Sequence, residues 1–374
     1  MKMNQKLAMT LSGACALALS LGSQSVMAKT YDTTFYVAGM GGHFAVAETT
    51  IDPSKEQPII VKKLDRIEIG DNESHPTHDP RIDSQDKNVL FWSTYKIDPE
   101  TKAPHVGKTN LKTGEVIMDV NAPLPKFATK SKSLFCASSQ TKNFYMPISM
   151  AHRGYIEVRN KSDLKLVHTV TLEGTEADIK KPYKFYHGVS SPDGKTTLIT
   201  INEADKDHGK PIGKLHMFLL DSTSLEQGKV KVLAKGMAPG AEGSFISFRA
   251  YFSNDSSKIA IGAADRMLVV DAKSLKVLDA GMAGPLEQFH DAMFTPDGKY
   301  IVATSRSKRL IEGVKVADPN KPAQGEFLMD GHLKLYDVAN KKWVGKSTSV
   351  CLSCHDQEEM ESHAVLCGLE ANWN

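Results

Sequence analysis

This sequence has little excess of either charge, few cysteines and only one long apolar run. Lysine and arginine total 46 and aspartate and glutamate 44, without a basic cluster, which argues against a nucleic-acid or anionic-membrane partner. Five cysteines are too few to form a disulfide scaffold in a chain of 374 residues. Beyond the N-terminal run, no apolar stretch approaches the ~20 residues that a membrane-spanning helix requires.

Several catalytic and cofactor-binding signatures are also absent. No Ser-His-Asp order, P-loop or dinucleotide-binding glycine motif occurs in the sequence. Gly39-Met40-Gly41-Gly42 is rich in glycine, but it lies between two predicted strands with no helix after it, so it is not expected to hold a phosphate. No stretch shows a sustained helical period. The sequence therefore predicts an all-β protein.

Residues 1–28 have the composition of a secretory signal peptide. Lys2 and Lys6 precede apolar and small residues from Leu7 to Leu21, and the segment ends in a small-residue cleavage site at Ala28. The apolar run is too short for a membrane span. Because this segment carries two lysines and no acidic residue, the formal net charge of the remaining chain is about zero. We expect a periplasmic or extracellular protein.

The body of the sequence repeats one pattern of short strands and turns. Runs such as Thr197-Leu-Ile-Thr-Ile and Tyr300-Ile-Val-Ala-Thr are rich in β-branched residues and are bounded by turn residues. The turns before such strands resemble one another, and their final lysines are 41 to 63 residues apart: SQDK (84–87), SQTK (139–142), SPDGK (191–195), SNDSSK (253–258) and TPDGK (295–299). Four-stranded units at this interval are typical of a β-propeller.

Five complete four-stranded units follow from this pattern, at about residues 78–122, 131–174, 184–236, 245–283 and 287–349. The N-terminal part supplies only three strands, TTFYVAG, HFAVAETT and PIIVKKL. We expect the missing first strand to run from His363 to Glu370, because a C-terminal strand that completes the N-terminal blade removes an exposed sheet edge. The sequence thus predicts six blades over residues 29–374, or seven if another lies within 206–245 or 306–330.

Histidines recur at two positions of the repeat. Both positions belong to connections on the same face of the ring, so we expect these side chains to converge at the mouth of the central channel. Imidazoles are common metal ligands and proton carriers. The alternative is a structural role, in which each ring only forms a hydrogen bond with the backbone of its turn. The first position, near the start of a blade's first strand, holds His78, His187, His290 and His363, with Cys136 and Arg249 in the other two blades; the second, at the start of the third strand, holds His43, His105, His216 and His332.

The segment Cys351-Leu-Ser-Cys354-His355 is a CxxCH motif, the pattern that attaches c-type haem. Cys351 and Cys354 would form the two thioethers, and His355 would be the proximal iron ligand. The loop 349–362 leads into the expected closing strand, so the haem would rest against the histidine-bearing face of the propeller. A structural disulfide and a zinc site are the alternatives.

The second axial ligand of this haem and a further cysteine pair stay open. Met360 lies five residues after His355, which leaves only ~16 Å of extended chain to pass the haem edge, so a histidine of the ring is the easier ligand. Cys136 and Cys367 could form a disulfide in an oxidising compartment. They belong to blades that are not neighbours, so that bond would have to cross the channel within a short Cα separation.

Two of the repeats resemble those of the YVTN-type propeller superfamily. They are FYHGVSSPDGK (185–195) and FHDAMFTPDGK (289–299). The superfamily includes the haem-d1 propeller of cytochrome cd1 nitrite reductase and the heavy chain of methylamine dehydrogenase. Phe289-His290-Asp291 is similar to a histidine-bearing motif on the d1-haem face, and HFAV (43–46) is similar to a stretch of the dehydrogenase heavy chain. The resemblance implies a propeller, but no separate cytochrome c domain is present.

Together these patterns lead us to expect an exported c-type cytochrome that acts as a redox enzyme. Electrons would pass between haem c and a histidine-rich site that holds copper or a second iron centre. Arg249 would offer a positive charge to a small-molecule anion, and His290 would donate protons. A redox partner protein would complete the reaction. The alternatives are a non-catalytic electron carrier and a propeller subunit of a periplasmic dehydrogenase.

Overall fold

Short strands joined by turns build nearly all of the described chain. The structure, a computed structural model, describes residues 29–130, 134–151, 153–208, 210–238, 246–323, 325–350 and 368–373. Within these ranges the strands form six four-stranded antiparallel sheets, and helix is limited to two single turns and α1 (Ser222–Glu226). None of the described helices is long and apolar enough to cross a membrane. The all-β prediction is confirmed.

Each sheet is one blade of a propeller, and the blades are numbered I to VI. The strands are given from the innermost outwards. Blades I and II consist of β24 (Gly368–Trp373), β1 (Tyr31–Ala38), β2 (His43–Ile51) and β3 (Ile59–Glu68), and of β4 (Thr77–Ile82), β5 (Val89–Thr94), β6 (His105–Asn110) and β7 (Val116–Asn121). Blades III and IV consist of β8 (Phe135–Gln140), β9 (Phe144–Ser149), β10 (Tyr155–Asn160) and β11 (Leu166–Val170), and of β12 (Tyr183–Ser190), β13 (Thr196–Ala204), β14 (Pro211–Asp221) and β15 (Val232–Ala238). Blades V and VI consist of β16 (Ala250–Phe252), β17 (Lys258–Ala263), β18 (Arg266–Asp271) and β19 (Val277–Met282), and of β20 (Glu287–Phe294), β21 (Tyr300–Leu310), β22 (Phe327–Asp337) and β23 (Lys342–Ser349).

The repeated turn between the first two strands of a blade has a definite chemistry. In blade IV the Ser191 hydroxyl donates to Asp193 Oδ1 at 2.7 Å, and Gly194 takes a φ of +68°. Blade VI repeats this with Thr295 and Asp297 at 3.0 Å. A hydroxyl, an aspartate and a residue tolerant of positive φ are what such a tight turn requires. The similarity of these turn sequences is therefore the signal that revealed the blades.

Six apolar clusters join neighbouring blades, one at each interface of the ring. Between blades II and III, for example, the rings of Phe91 and Tyr145 stack with centroids 4.7 Å apart. The cluster between blades VI and I contains Leu333 and Leu369, both fully buried. Burial of one such side chain contributes roughly 1.5–3 kcal/mol. The core is thus distributed around the ring rather than gathered at one place.

The C-terminal strand closes the ring. β24 pairs with β1 in blade I, with Tyr36 opposite Glu370, and each innermost strand contacts the next, with β24 completing the circle to β4. Closure by a C-terminal strand is confirmed. Within the described residues the strand covers Gly368–Trp373, past the expected end at Glu370, and residues 363–367 of the predicted strand lie outside the described residues.

The predicted blades agree with the structure in number and limits. The possible seventh blade is not found among the described residues: residues of 206–245 belong to β14 and β15 of blade IV, and residues of 306–330 extend the hairpin of β21 and β22 in blade VI. The long intervals in the sequence therefore reflect long hairpins.

Candidate functional site

The first residues of the innermost strands form a buried group around the channel. His78 and Cys136 are the second residues of β4 and β8, and His290 is the fourth residue of β20. His187 lies in β12, and Arg249 directly precedes β16. All five residues are at most 2% exposed. The structure therefore brings together the inner set predicted from the repeats, as far as it describes that set.

Three potential metal-binding atoms converge within this group. Cys136 Sγ lies 3.9 Å from His78 Nε2 and 3.8 Å from His290 Nε2. The three atoms all lie within 4.8 Å of one another. The two imidazole rings are 5.5 Å apart and nearly perpendicular, at 71°, so their nitrogens approach the sulfur from different directions. Two imidazoles and one thiolate form a ligand set that copper and zinc both accept.

A carboxylate behind His290 defines which ring nitrogen faces the sulfur. His290 Nδ1 lies 2.7 Å from Asp291 Oδ2, so a proton on Nδ1 donates to the carboxylate and the lone pair of Nε2 points toward Cys136. The other carboxylate oxygen accepts from the Leu369 N–H at 3.0 Å. A carboxylate that orients a ligand histidine in this way is common around metal sites.

Arg249 balances the buried carboxylates. Its Nη2 lies 2.8 Å from Asp79 Oδ1, and its Nε lies 3.4 Å from Asp291 Oδ1. Both aspartates are fully buried, so the guanidinium supplies the positive charge that they require. Nη2 also donates to the Tyr251 hydroxyl at 2.9 Å. These contacts give Arg249 a positioning role, and its predicted role in binding a substrate anion gains no support from them.

Aromatic rings cover the two histidines of the triad. Tyr95 stacks on His78 with centroids 4.4 Å apart, and Phe248 stacks on His290 at 4.5 Å. His187 contacts the same Phe248 ring edge-on at 6.0 Å. Among the described residues, His78 Nδ1 has no hydrogen-bond partner. The triad is therefore enclosed by flat apolar surfaces that exclude water.

Burial keeps both imidazoles neutral. It lowers the pKa of His78 well below its usual value, and the neighbouring His290 adds to this effect. Burial also lowers the pKa of His290, with Arg306 as the next cause. A neutral imidazole has a free lone pair, whereas an imidazolium has none. Both rings are thus in the state that a metal ion requires at neutral pH.

The outer set of histidines does not join this site. Strand three of a blade lies two strand spacings, roughly 10 Å, farther from the channel than strand one. The described contacts place none of the outer histidines beside the triad. The predicted convergence of the two sets therefore gains no support, and the role of the outer histidines as metal ligands stays a prediction. Each has neighbours of its own: the Gly41 carbonyl for His43, Asp98 and Asp119 for His105, Glu203 for His216 and Ser347 for His332.

Several predicted site residues lie outside the described residues. They include the haem motif, most of the loop 349–362, the candidate distal haem ligands Met360 and His363, and the cysteine proposed as the disulfide partner of Cys136. Haem attachment, its distal ligand and the Cys136–Cys367 disulfide therefore stay predictions. The residues concerned are Cys351, Cys354, His355, Met360, His363 and Cys367.

Sequence reasoning missed the carboxylates and aromatic rings around the triad. Asp291 follows His290 directly within Phe289-His-Asp, so an acid next to a candidate ligand was the available signal. Asp79 follows His78 in the same way. Tyr95 and Phe248 carry no repeated signal, because they come from loops that vary between blades.

Comparison with known proteins adds no argument about the fold or the chemistry of this chain. No family model and no curated protein matches this chain. It is similar to the Kuenenia stuttgartiensis Hydrazine Synthase structure, with 14% identity and a TM-score of 0.47 over 73% of this chain and 65% of that one. It is also similar to the Cps50 (Swd1) beta-propeller domain of Myceliophteria thermophila, with 9% identity and a TM-score of 0.40 over 72% of this chain and 86% of that one. The chain thus spans about two thirds of the hydrazine synthase chain it matches, and neither similarity carries an argument about chemistry.

Proposed function

We propose that this protein is an exported redox protein in which a metal ion, with copper favoured, is bound by His78, Cys136 and His290 in the propeller channel. The observation that supports this most directly is the convergence of Cys136 Sγ with the Nε2 atoms of both histidines. Two imidazoles and a thiolate around one ion are typical of copper electron-transfer sites. Zinc is the other ion that this set would accept.

The distances fit such an ion after a small contraction. Metal–nitrogen and metal–sulfur bonds of ~2.0 and ~2.3 Å place two ligands of one ion about 3.5 Å apart. The sulfur–nitrogen distances here are 3.8 and 3.9 Å. A shift of a few tenths of an ångström in each side chain would suffice.

The surrounding residues have separate tasks in this proposal. Asp291 accepts the Nδ1 proton of His290 and so directs Nε2 to the ion. Arg249 favours the charged form of the Asp291 carboxylate, and Asp79 pairs with the same guanidinium and holds it in place. Tyr95 and Phe248 exclude water. Less solvent then has to reorient when the charge of the ion changes.

Haem c belongs to the proposal through its attachment motif. Cys351 and Cys354 would bind it covalently, His355 would ligate it, and it would supply one-electron exchange with the channel site. The segment lies between β23, whose last residue is Ser349, and β24, which begins at Gly368. β23 belongs to blade VI, which contributes His290, and β24 belongs to blade I, whose Leu369 N–H donates to Asp291.

Burial of the triad favours electron transfer over catalysis at the ion itself. His78, Cys136 and His290 are each no more than 2% exposed, whereas a catalytic metal site keeps an open position for substrate. The electron-carrier alternative therefore has a specific observation in its favour. Turnover of a small-molecule substrate, with a redox partner protein, stays the second candidate.

Metal content tests the channel site. Protein purified from the periplasm of a host that matures c-type cytochromes should contain one copper or zinc ion per chain at this site, in addition to haem iron and to any ion bound elsewhere, because the triad has one set of donors. Cys136→Ser should remove that ion after dialysis and, for copper, the thiolate charge-transfer absorbance. Ser138→Ala, two residues along the same buried strand, is the control and should retain both. Metal content unchanged by Cys136→Ser would contradict the proposal.

Replacement of the motif cysteines tests haem attachment independently. The variant Cys351→Ala/Cys354→Ala should lack the haem absorbance that remains with the polypeptide after denaturation, because both thioethers are gone. Cys367→Ala is the matched control and should retain covalent haem. Equal absorbance in the double variant and the parent would show that the motif does not attach haem.

A further inference from the structure

A second group of potential metal ligands lies on blade II, away from the channel. His75 precedes β4, His105 begins β6, and Asp119 lies in the outermost strand β7. Their potential ligand atoms all lie within 4.8 Å of one another. Unlike the channel triad, this group reaches solvent: the side chains of His75 and Asp119 are 15% and 31% exposed.

The carboxylate of Asp119 lies between the two imidazoles. Its Oδ2 is 2.8 Å from His75 Nε2, and its Oδ1 is 2.9 Å from His105 Nδ1. The ring centroids of the two histidines are 4.2 Å apart. One nitrogen of each ring thus faces the same carboxylate at hydrogen-bond distance. Nitrogen and oxygen ligands of one zinc ion, bound at ~2.0–2.1 Å, stand roughly 3.3 Å apart, so these atoms would move apart by about 0.5 Å around an ion.

Each imidazole is also held from behind by its other nitrogen. The Ser74 hydroxyl lies 2.8 Å from His75 Nδ1, and Asp98 Oδ2 lies 3.3 Å from His105 Nε2. Asp98 is itself oriented by the N–H of Glu100 at 2.8 Å. Partners of this kind orient each ring so that its other nitrogen faces Asp119, as the outer partners of metal-ligating histidines orient their rings.

We propose that His75, His105 and Asp119 bind one divalent transition-metal ion, with zinc as the favoured ion and a fourth position open to solvent. Two imidazoles and one carboxylate suit zinc or cobalt, and three protein ligands with an accessible fourth position are typical of an exchangeable or reactive zinc site. The proposal is independent of the channel site, because it uses none of the same side chains. The alternative is a hydrogen-bonded His–Asp–His network without an ion.

Cobalt(II) titration of Cys136→Ser protein separates this site from the channel. With the thiolate removed, the full chain should still bind one cobalt ion per molecule. The visible ligand-field bands should develop without a sulfur charge-transfer band, and zinc should displace the ion. Binding in the wild type with a sulfur band only, and no binding in Cys136→Ser, would overturn the proposal.

Variants on blade II then identify the ligands. In the Cys136→Ser background, Asp119→Asn and His75→Ala should each weaken cobalt binding at least about tenfold, since even loss of an outer partner costs 10–100-fold. Asp119→Asn keeps the shape of an exposed side chain, so the fold should be retained. His216→Ala is the control, because His216 Nε2 lies 2.8 Å from the Glu203 carboxylate and does not belong to the blade II group. The cobalt affinity of this variant should be unchanged. Cobalt affinity insensitive to Asp119→Asn would also overturn the proposal.

Discussion

Deletion of residues 368–374 is expected to lower the free energy of unfolding by more than about 4 kcal/mol. The deletion removes the innermost strand of blade I, including Leu369, which is fully buried between blades I and VI. Loss of one buried leucine side chain alone costs about 2–5 kcal/mol, and the deletion also leaves the β1 edge unpaired. Urea unfolding followed by circular dichroism measures the effect.

Deletion of Asn374 alone is the matched control for this experiment. It leaves all six residues that pair with β1 in place, so its unfolding midpoint should equal that of the full chain. A protein without residues 368–374 that unfolded at the same urea concentration as the control would show that β24 does not close the ring.

Replacement of Arg249 by methionine should cost about 3–5 kcal/mol, the usual cost of removing one partner from a buried ion pair. The change leaves Asp79 and Asp291, both 0% exposed, without their common cation. Asp291 would also hold His290 less firmly. Thermal and urea unfolding measure the loss, and metal content measures the consequence for the channel site.

Arg66→Met is the comparison for Arg249→Met. Arg66 pairs with Glu68 on the surface, where both side chains are more than half exposed, and such pairs contribute about 0–1 kcal/mol. A small effect for both variants would show that the Arg249 contacts are not structural. It would return Arg249 to its predicted role as a site for a substrate anion.

The blade pattern could be read from the sequence because turn chemistry is local. A hydroxyl residue, an aspartate two positions later and a residue tolerant of positive φ specify the same turn wherever they occur, as at Ser191 and Thr295. The closing strand was placed within a few residues, but its register was not. Register depends on pairing with β1, more than 300 residues earlier in the chain, and no local signal reports it.

The sequence predicted the position of the site residues along the channel axis but not their distance from that axis. The repeat gives the height of a residue along the channel axis, and at that height His78, Cys136 and His290 do meet. The repeat does not give the distance from the axis, and the outer histidines begin third strands, roughly 10 Å farther out than the first strands. His105 belongs instead with His75, a residue outside the repeat positions. The carboxylates behind the triad were missed because charge balance in a buried site depends on neighbours from other blades.

Closure by β24 also has a kinetic consequence. The Thr33 hydroxyl donates to the Asn372 carbonyl, and these residues are 339 positions apart. Blades II to VI are meanders of adjacent strands and can form as soon as each has been synthesised, whereas blade I must wait for a strand that follows all the others. The entropic cost of closing such a long loop therefore falls on the formation of blade I. We therefore infer that blade I is the last of the six blades to form.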